Sequence, residues 1–361
     1  MVAAGVHYFG LGDTLPAARA GMVGIGADPL TGMPTALLGD ATQVPLAGWG
    51  MFQSPTDGVF TKTGAGTLNL NAGTIVEVAG RVWRYSSPTA VTLPVLSAGI
   101  DYAIYVCVDG SVRADGSFSC PAGYTTTNSR KIGGFHYDLG SEVNAYSLWD
   151  LWFRPTAPDP RGMALVAGCF WSDIYLLNTS PATNGTSKAG ATIADGTAPP
   201  KIPTAFGGDG STVYGSFSWW QAWESVAGGG KRLPSYGEFC ALAYGVTEAV
   251  SVGADPVTTQ RQAGSTSKWG CEQVTGVMWQ WGAESSYYPG ANGPGWKNNT
   301  SGRGQLYLAN DSGLVAAIYG GDWNSGVNAG SRASGWYNPP WVAGSNIGVR
   351  GVCGHLDLRG V

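Results

Sequence analysis

At 361 residues with a net charge of −4, 15 tryptophans and 12% charged side chains, the chain is too aromatic and too poor in charge to be disordered. Its length favours two or three domains, each able to bury a core. The 20 Lys and Arg are scattered, which offers no basic field to a nucleic acid, and no apolar run is long enough to cross or insert into a bilayer. Met1-Val-Ala-Ala-Gly5 lacks the charged start and apolar core of a secretory leader, and His7 and Asp13 interrupt it early. Synthesis and folding in a cytoplasm are expected. The 57 glycines beside many Trp and Tyr suit short strands, tight turns and recognition loops.

Residues 1–48 are rich in Gly, Ala and Pro and hold no helical period. Such a segment buries little alone, and neighbouring subunits are expected to complete its core. From about residue 60 the period becomes two. Thr74–Val78 and Arg81–Tyr85 read as a hairpin across Ala79-Gly80, and Tyr102–Val108 runs through Asp109-Gly110 into Ser111–Arg113. Asp-Gly predicts a tight primed turn with both residues at positive φ. Residues 49–145 thus read as a small all-β sandwich or barrel.

The second half is mixed. Ser218 with Gln221 and Ser235 with Glu238 form two capping-box patterns. The first predicts a helix whose one face carries Trp219, Trp223, Val226 and Ala227 before Gly228-Gly229-Gly230. The second predicts a helix with Phe239, Leu242 and Ala243 inward. Val277–Trp281 follows as a strand, giving an α+β domain. Beyond Glu284 the Gly, Asn, Ser, Tyr and Trp content yields no regular period.

Cys107, Cys120, Cys169, Cys240, Cys271 and Cys353 are widely spaced without a CxxC pair, so reduced thiols acting as small apolar side chains are expected. His7, His136 and His355 have no acid or cysteine at ligand spacing and read as structural. Phe206-Gly-Gly-Asp-Gly-Ser211 lacks the following helix and Lys of a phosphate loop and reads as a turn. Asp173, Asp209 and Glu238 lack EF-hand spacing. No cofactor or metal is implied.

Phe206-Gly-Gly-Asp-Gly-Ser211, Gly230-Lys-Arg-Leu-Pro-Ser-Tyr-Gly-Glu-Phe239, Gly320-Gly-Asp-Trp-Asn324, Gly330-Ser-Arg-Ala333 and Val349-Arg-Gly-Val-Cys353 occur in this order. Together with Ala103–Cys107, Gly133–Tyr137, Tyr146–Asp150 and Asp159–Met163 they resemble the variable proteins of diversity-generating retroelements. The resemblance covers roughly residues 60–361. In residues 1–48 only Leu38-Gly-Asp-Ala41 and Pro45-Leu-Ala47 are similar to the family.

This resemblance implies a β-prism-like trimerisation segment over 1–48, a β-sandwich over 49–145 and a C-type-lectin-fold variable domain over 146–361. It implies a non-enzymatic, tropism-determining receptor-binding protein of phage type, assembled as a homotrimer at a virion tail-fibre tip. The partner would be a host cell-surface protein or other receptor. Carried over residue by residue, the diversified receptor-binding positions are Asp322, Asn324, Gly326, Asn328, Gly335, Tyr337, Asn338, Val342, Gly344, Asn346 and Ile347. Adenine randomisation of AAY codons cannot produce Lys, Glu, Gln, Met or Trp, and none stands at these positions. Trp323, Arg332, Trp336 and Arg350 would be scaffold anchors, as buried aromatics and charge-paired arginines, with the positions between them facing outward.

Two other readings stay open. A purely structural tail-fibre subunit would share the scaffold without a receptor site. A formylglycine-generating type of enzyme shares Arg232-Leu-Pro and the C-terminal Gly-x-Arg pattern, but needs redox-active cysteines where this chain has Ser334-Gly-Trp-Tyr-Asn-Pro-Pro-Trp341. Without a thiolate there is neither nucleophile nor copper ligand.

Overall fold

The computed structural model describes residues 24–27, 34–37, 43–45, 51–288, 295–298, 301–308 and 313–358. The chain divides into two compact units. One comprises Met1–Thr63, Thr67–Pro94 and Ala103–Gly133, and the other Gly64–Gly66, Val95–Tyr102 and Gly134–Val361. His7, Leu38-Gly-Asp-Ala41, and the boundary expected at residue 48 lie outside the described residues.

In the first unit, Gly24–Ala27, Pro34–Leu37 and Gln43–Pro45 form a three-stranded antiparallel sheet. Thr74–Val78 pairs with Arg81–Tyr85 through a turn whose Ala79 (φ 52°) and Gly80 (φ 80°) are both left-handed. That conformation twists with the strands and joins them in two residues. Residues alternate into the core, with Val76, Val78 and Val82 buried. The Asp109-Gly110 turn departs from expectation. Gly110 alone of the pair has positive φ, at 81°. Asp109 instead turns its side chain onto the following residue: its Oδ1 accepts from the backbone N–H of Ser111 at 3.0 Å and from the Ser111 hydroxyl at 2.8 Å. An Asx turn thus replaces the primed two-residue turn.

The second unit holds a four-stranded antiparallel sheet, ordered Phe153–Pro155, Val352–Asp357, Phe170–Asp173 and Met163–Val166. It also holds helices α1 (Trp219–Ala227) and α2 (Tyr236–Leu242). A six-stranded sheet is built from β1 (Trp279–Tyr288), β2 (Gly295–Lys297), β3 (Leu306–Leu308), β4 (Gly313–Tyr319), β5 (Ser334–Asn338) and β6 (Ile347–Gly348). Its order is β2-β3-β5-β4-β1-β6, with β3/β5 and β1/β6 parallel. The strand expected from Val277 begins at Trp279, and Val277 makes only an isolated bridge to Asp322.

Strand β4 shows how the sheet is covered. Ala316 and Ile318 pack with Trp219, Ala222 and Val226 of α1, while Ala317 and Tyr319 pack with Phe239 and Leu242 of α2. Burial on both faces explains why the segment is continuously apolar rather than alternating. Each large side chain so buried contributes about 1.5–3 kcal/mol. Both capping boxes recur: Gln221 Oε1 accepts from the Ser218 backbone N–H at 3.0 Å, and Glu238 Oε2 from that of Ser235 at 2.9 Å. Trp223, expected on the buried face of α1, is 41% exposed, because Ala222, Ser225 and Val226 complete that face instead.

Between β1 and β4 the register shifts from Trp281↔Ile318 to Ser285↔Ala316. Gly282 sits in this bulge, where a Cβ would come within 2.2 Å of the Tyr319 ring, so no other residue fits. Trp219 Nε1 donates to the Gly282 carbonyl at 2.8 Å, tying α1 to the bulge.

Candidate functional site

Arg350, expected as a scaffold anchor, is fully buried. Its guanidinium donates to the carbonyls of Asp173 (2.7 Å), Ile174 and Glu272, and to Gln280 Oε1 at 3.3 Å. The anchor is therefore satisfied chiefly by main-chain oxygens, with the Asp173 and Glu272 carboxylates near enough to interact with its charge. Arg332 corrects the expectation of a second charge-paired anchor. Its side chain is exposed, and it contributes backbone: its N–H donates to Arg303 O at 2.8 Å, and its O accepts from Tyr236 Oη at 3.1 Å. Trp323 and Trp336 are half-buried rather than fully enclosed, each leaning on a different core cluster.

Glycines 320 and 321 open the turn after β4 at φ 93° and 85°. Asp322, 9% exposed, then organises it. Its Oδ1 accepts from the Asn324 N–H at 3.0 Å and the Ser325 hydroxyl at 2.7 Å, and its Oδ2 from Asn346 Nδ2 at 2.6 Å. Gly326 donates its N–H to Ser251 Oγ at 2.9 Å, and the Asn328 carbonyl receives the N–H of Gln305 at 3.0 Å. Asn324 and Gly326 are exposed, and Asn328 is half-buried.

In β5, Gly335 is buried. A Cβ there would lie 2.7 Å from the Tyr337 ring and 2.9 Å from Ile318. Tyr337 is half-buried, and its phenol is raised above the usual tyrosine value, first by burial and then by the nearby Asp322 carboxylate. Asn338 is buried beside the Tyr337 phenol. The loop back to the sheet carries half-buried Val342, Gly344 and Asn346, and ends on Ile347, which is buried and paired with Trp279. Gly196 donates to the Gly344 carbonyl at 3.0 Å, and Trp279 to that of Asn346 at 3.0 Å.

The expected positions thus converge, but not all face outward. Asn324 and Gly326 are exposed, Asn328, Tyr337, Val342, Gly344 and Asn346 are half-buried, and Asp322, Gly335, Asn338 and Ile347 are buried. Sequence reasoning missed their aromatic neighbours. Tyr337 meets Tyr307 edge-on at 4.9 Å, Tyr307 meets Trp296 at 5.1 Å, and Trp296 stacks on Trp279 at 6.4 Å. Trp341, 66% exposed, stands beside Val342, and Val327, 67% exposed, lies between Gly326 and Asn328. Isolated aromatics in Gly- and Asn-rich sequence were the available signal.

Other singled-out residues are engaged elsewhere. Asp209 caps the 206–211 turn through Ser211 and Thr212. Glu238 pairs with Arg232, and Asp173 with Lys231. His136, 1% exposed, bridges Asp101 Oδ1 and Tyr175 Oη at 3.0 Å each. All the cysteines are free; Cys107, Cys271 and Cys353 are buried like small apolar side chains, whereas Cys169 is exposed and has no such role.

Over 322 residues the chain is 50% identical to the "Tail fiber receptor-binding protein" of Bordetella phage BPP-1, covering 83% of each protein. Residues 58–148 match the family model described as the Mtd second domain. The solved "Major Tropism Determinant U1 Variant" superposes with a TM-score of 0.78 at 45% identity, covering 95% of this chain and 97% of that one. The chain belongs to the major tropism determinant family. The I1 variant of the same determinant gives a TM-score of 0.79 at 44% identity with the same coverage. The strand-rich second unit with its few helices fits the C-type-lectin-like fold of major tropism determinants.

Proposed function

We propose that the chain is a phage-type receptor-binding protein that determines host tropism through a surface formed by the Asp322–Ile347 segment. The observation that carries this reading is the 50% identity to a tail fibre receptor-binding protein across most of both chains. The geometry supports it. Gly335 and Ile347 are buried in the frame, while Asn324, Gly326, Tyr337, Val342, Gly344 and Asn346 present side chains or main chain at the surface. Exposed substitutions on such a frame cost about 0.5 kcal/mol or less, so the surface can change while the fold persists. Tyr and Asn supply contact area and adaptable hydrogen bonds at low entropic cost.

The partner is a host cell-surface protein or other receptor, bound without catalysis or cofactor. The chain acts in the virion, at the tail fibre tip, as a homotrimer with a prism-like segment over 1–48, a sandwich over 49–145 and the variable domain over 146–361. The test is binding of the labelled protein to a panel of bacterial strains, repeated after joint replacement of Asn324, Tyr337, Val342 and Asn346 by Ala. Strain-selective binding, lost in a variant that still folds, is expected. Unchanged binding by that variant would move the receptor surface elsewhere, and binding to no strain would overturn the function.

A further inference from the structure

Far in sequence from Asp322–Ile347, the second unit encloses a cavity of about 340 Å³. Its polar lining comes from Asp159, Arg161, Thr186, Thr204, Ser225 and Lys231. The Lys231 side chain is only 4% exposed. Its ammonium gives one N–H to the fully buried Asp173 and one to Thr186 Oγ1 at 2.6 Å, which leaves the third for the cavity. Ser225, 1% exposed, also lines the cavity and lies beside the Tyr214 phenol, which itself donates to Glu224 at 2.8 Å; its hydroxyl oxygen keeps lone pairs that can accept from a ligand hydroxyl.

Arg161 and Asp159 form a forked pair, with Nε to Oδ1 at 2.9 Å and Nη2 to Oδ2 at 2.6 Å. Both are nearly half exposed. Gly228 and Gly229 let the remaining wall close in, since a Cβ at either would approach Pro203 to 2.5 Å or Thr186 to 2.9 Å.

The charges decide what the cavity suits. Two cations, Lys231 and Arg161, are each matched by a carboxylate, Asp173 and Asp159. An ionic ligand would bring a desolvated charge without a counter-charge. A neutral hydroxyl group accepts from a guanidinium or ammonium N–H while donating to a carboxylate, so vicinal hydroxyls satisfy such pairs without disturbing the balance. The volume lies at the lower end of the range for small-molecule sites. We propose that this cavity binds a neutral polyhydroxylated molecule the size of a single pyranose ring.

The test titrates a panel of neutral monosaccharides, with inorganic phosphate and glycine as charged probes, into the full-length protein by calorimetry and saturation-transfer NMR. Saturable binding of at least one sugar, with Kd on the order of 1 mM as suits so small a ligand, is expected. Asp159→Asn and Ser225→Ala should each weaken it about tenfold, the loss of one well-placed hydrogen bond. Ala205→Trp, a surface substitution at the cavity rim, should abolish it while leaving the melting temperature in place. No sugar binding, preference for a charged probe, or equal sugar binding by all three variants would each overturn the proposal.

Discussion

The Asn346 side-chain amide donates to Asp322 Oδ2 at 2.6 Å, joining two positions expected to vary from opposite ends of the receptor segment. The same carboxylate orders the turn through Asn324 and Ser325. The two positions are energetically one unit. In a double-mutant cycle, Asp322→Ala and Asn346→Ala should be non-additive by about 1 kcal/mol in unfolding free energy. Strict additivity would mean that the contact contributes nothing.

Tyr337→Ala removes the edge-on contact with Tyr307 and should cost about 1–2 kcal/mol of stability in addition to weakening receptor binding. Tyr337→Phe keeps the contact and should unfold like the parent. Trp336→Ala, from a half-buried site, should cost about 2–3 kcal/mol, below the cost for a fully enclosed Trp. Thermal and denaturant unfolding of the three variants checks the order.

Arg350→Met should cost about 3 kcal/mol or more, because it leaves the buried Glu272 carbonyl without its donor and strips one donor each from the buried carbonyls of Asp173 and Ile174. Arg350→Lys should not restore it, since an ammonium cannot reproduce the planar fork. Arg332→Ala, at an exposed side chain, should shift stability by about 0.5 kcal/mol or less. Chemical denaturation of the three variants measures the contrast.

Tyr319 is held well above the ordinary phenol value, first by burial and then by Glu284, to which its hydroxyl donates. A phenol raised in the folded state favours folding fully below the unfolded value near pH 10, and that contribution is lost as pH rises toward the folded value. Unfolding free energy should therefore decline above about pH 10. In Tyr319→Phe the decline should be shallower, although the variant starts less stable at pH 7 for want of the Glu284 hydrogen bond.

Light scattering on the purified protein should give the mass of a trimer, and deletion of residues 1–48 should weaken assembly. A monomer mass for the intact chain at micromolar concentration would sink the trimer.

How much was legible follows from the range of the interactions involved. The Thr74–Tyr85 hairpin and both capping boxes are local, and their residues identify them. Helical spacing placed Trp223 beside Trp219 and Val226, yet only tertiary packing decides which neighbours close the stripe, and Ala222 and Ser225 do so. Strands β2 and β3 are three residues long, β2 pairing with β3 and β3 in turn with β5, so no local period marks them. The resemblance pointed to Arg350 and to Asp322–Ile347 but carried no information on burial, so the exposure of Arg332 and the enclosure of Ile347 were not legible from it.

Gly335 has the Tyr337 ring and Ile318 where a side chain would begin, and Ile347 fills a core position next to Trp279. A repertoire written across Asp322–Ile347 would therefore be sieved twice. Many combinations would fail to fold before meeting any cell, and the survivors would be enriched for small residues at 335 and apolar ones at 347. The effective diversity of such a library is smaller than its codon count, and concentrated at the open positions around Asn324 and Gly326.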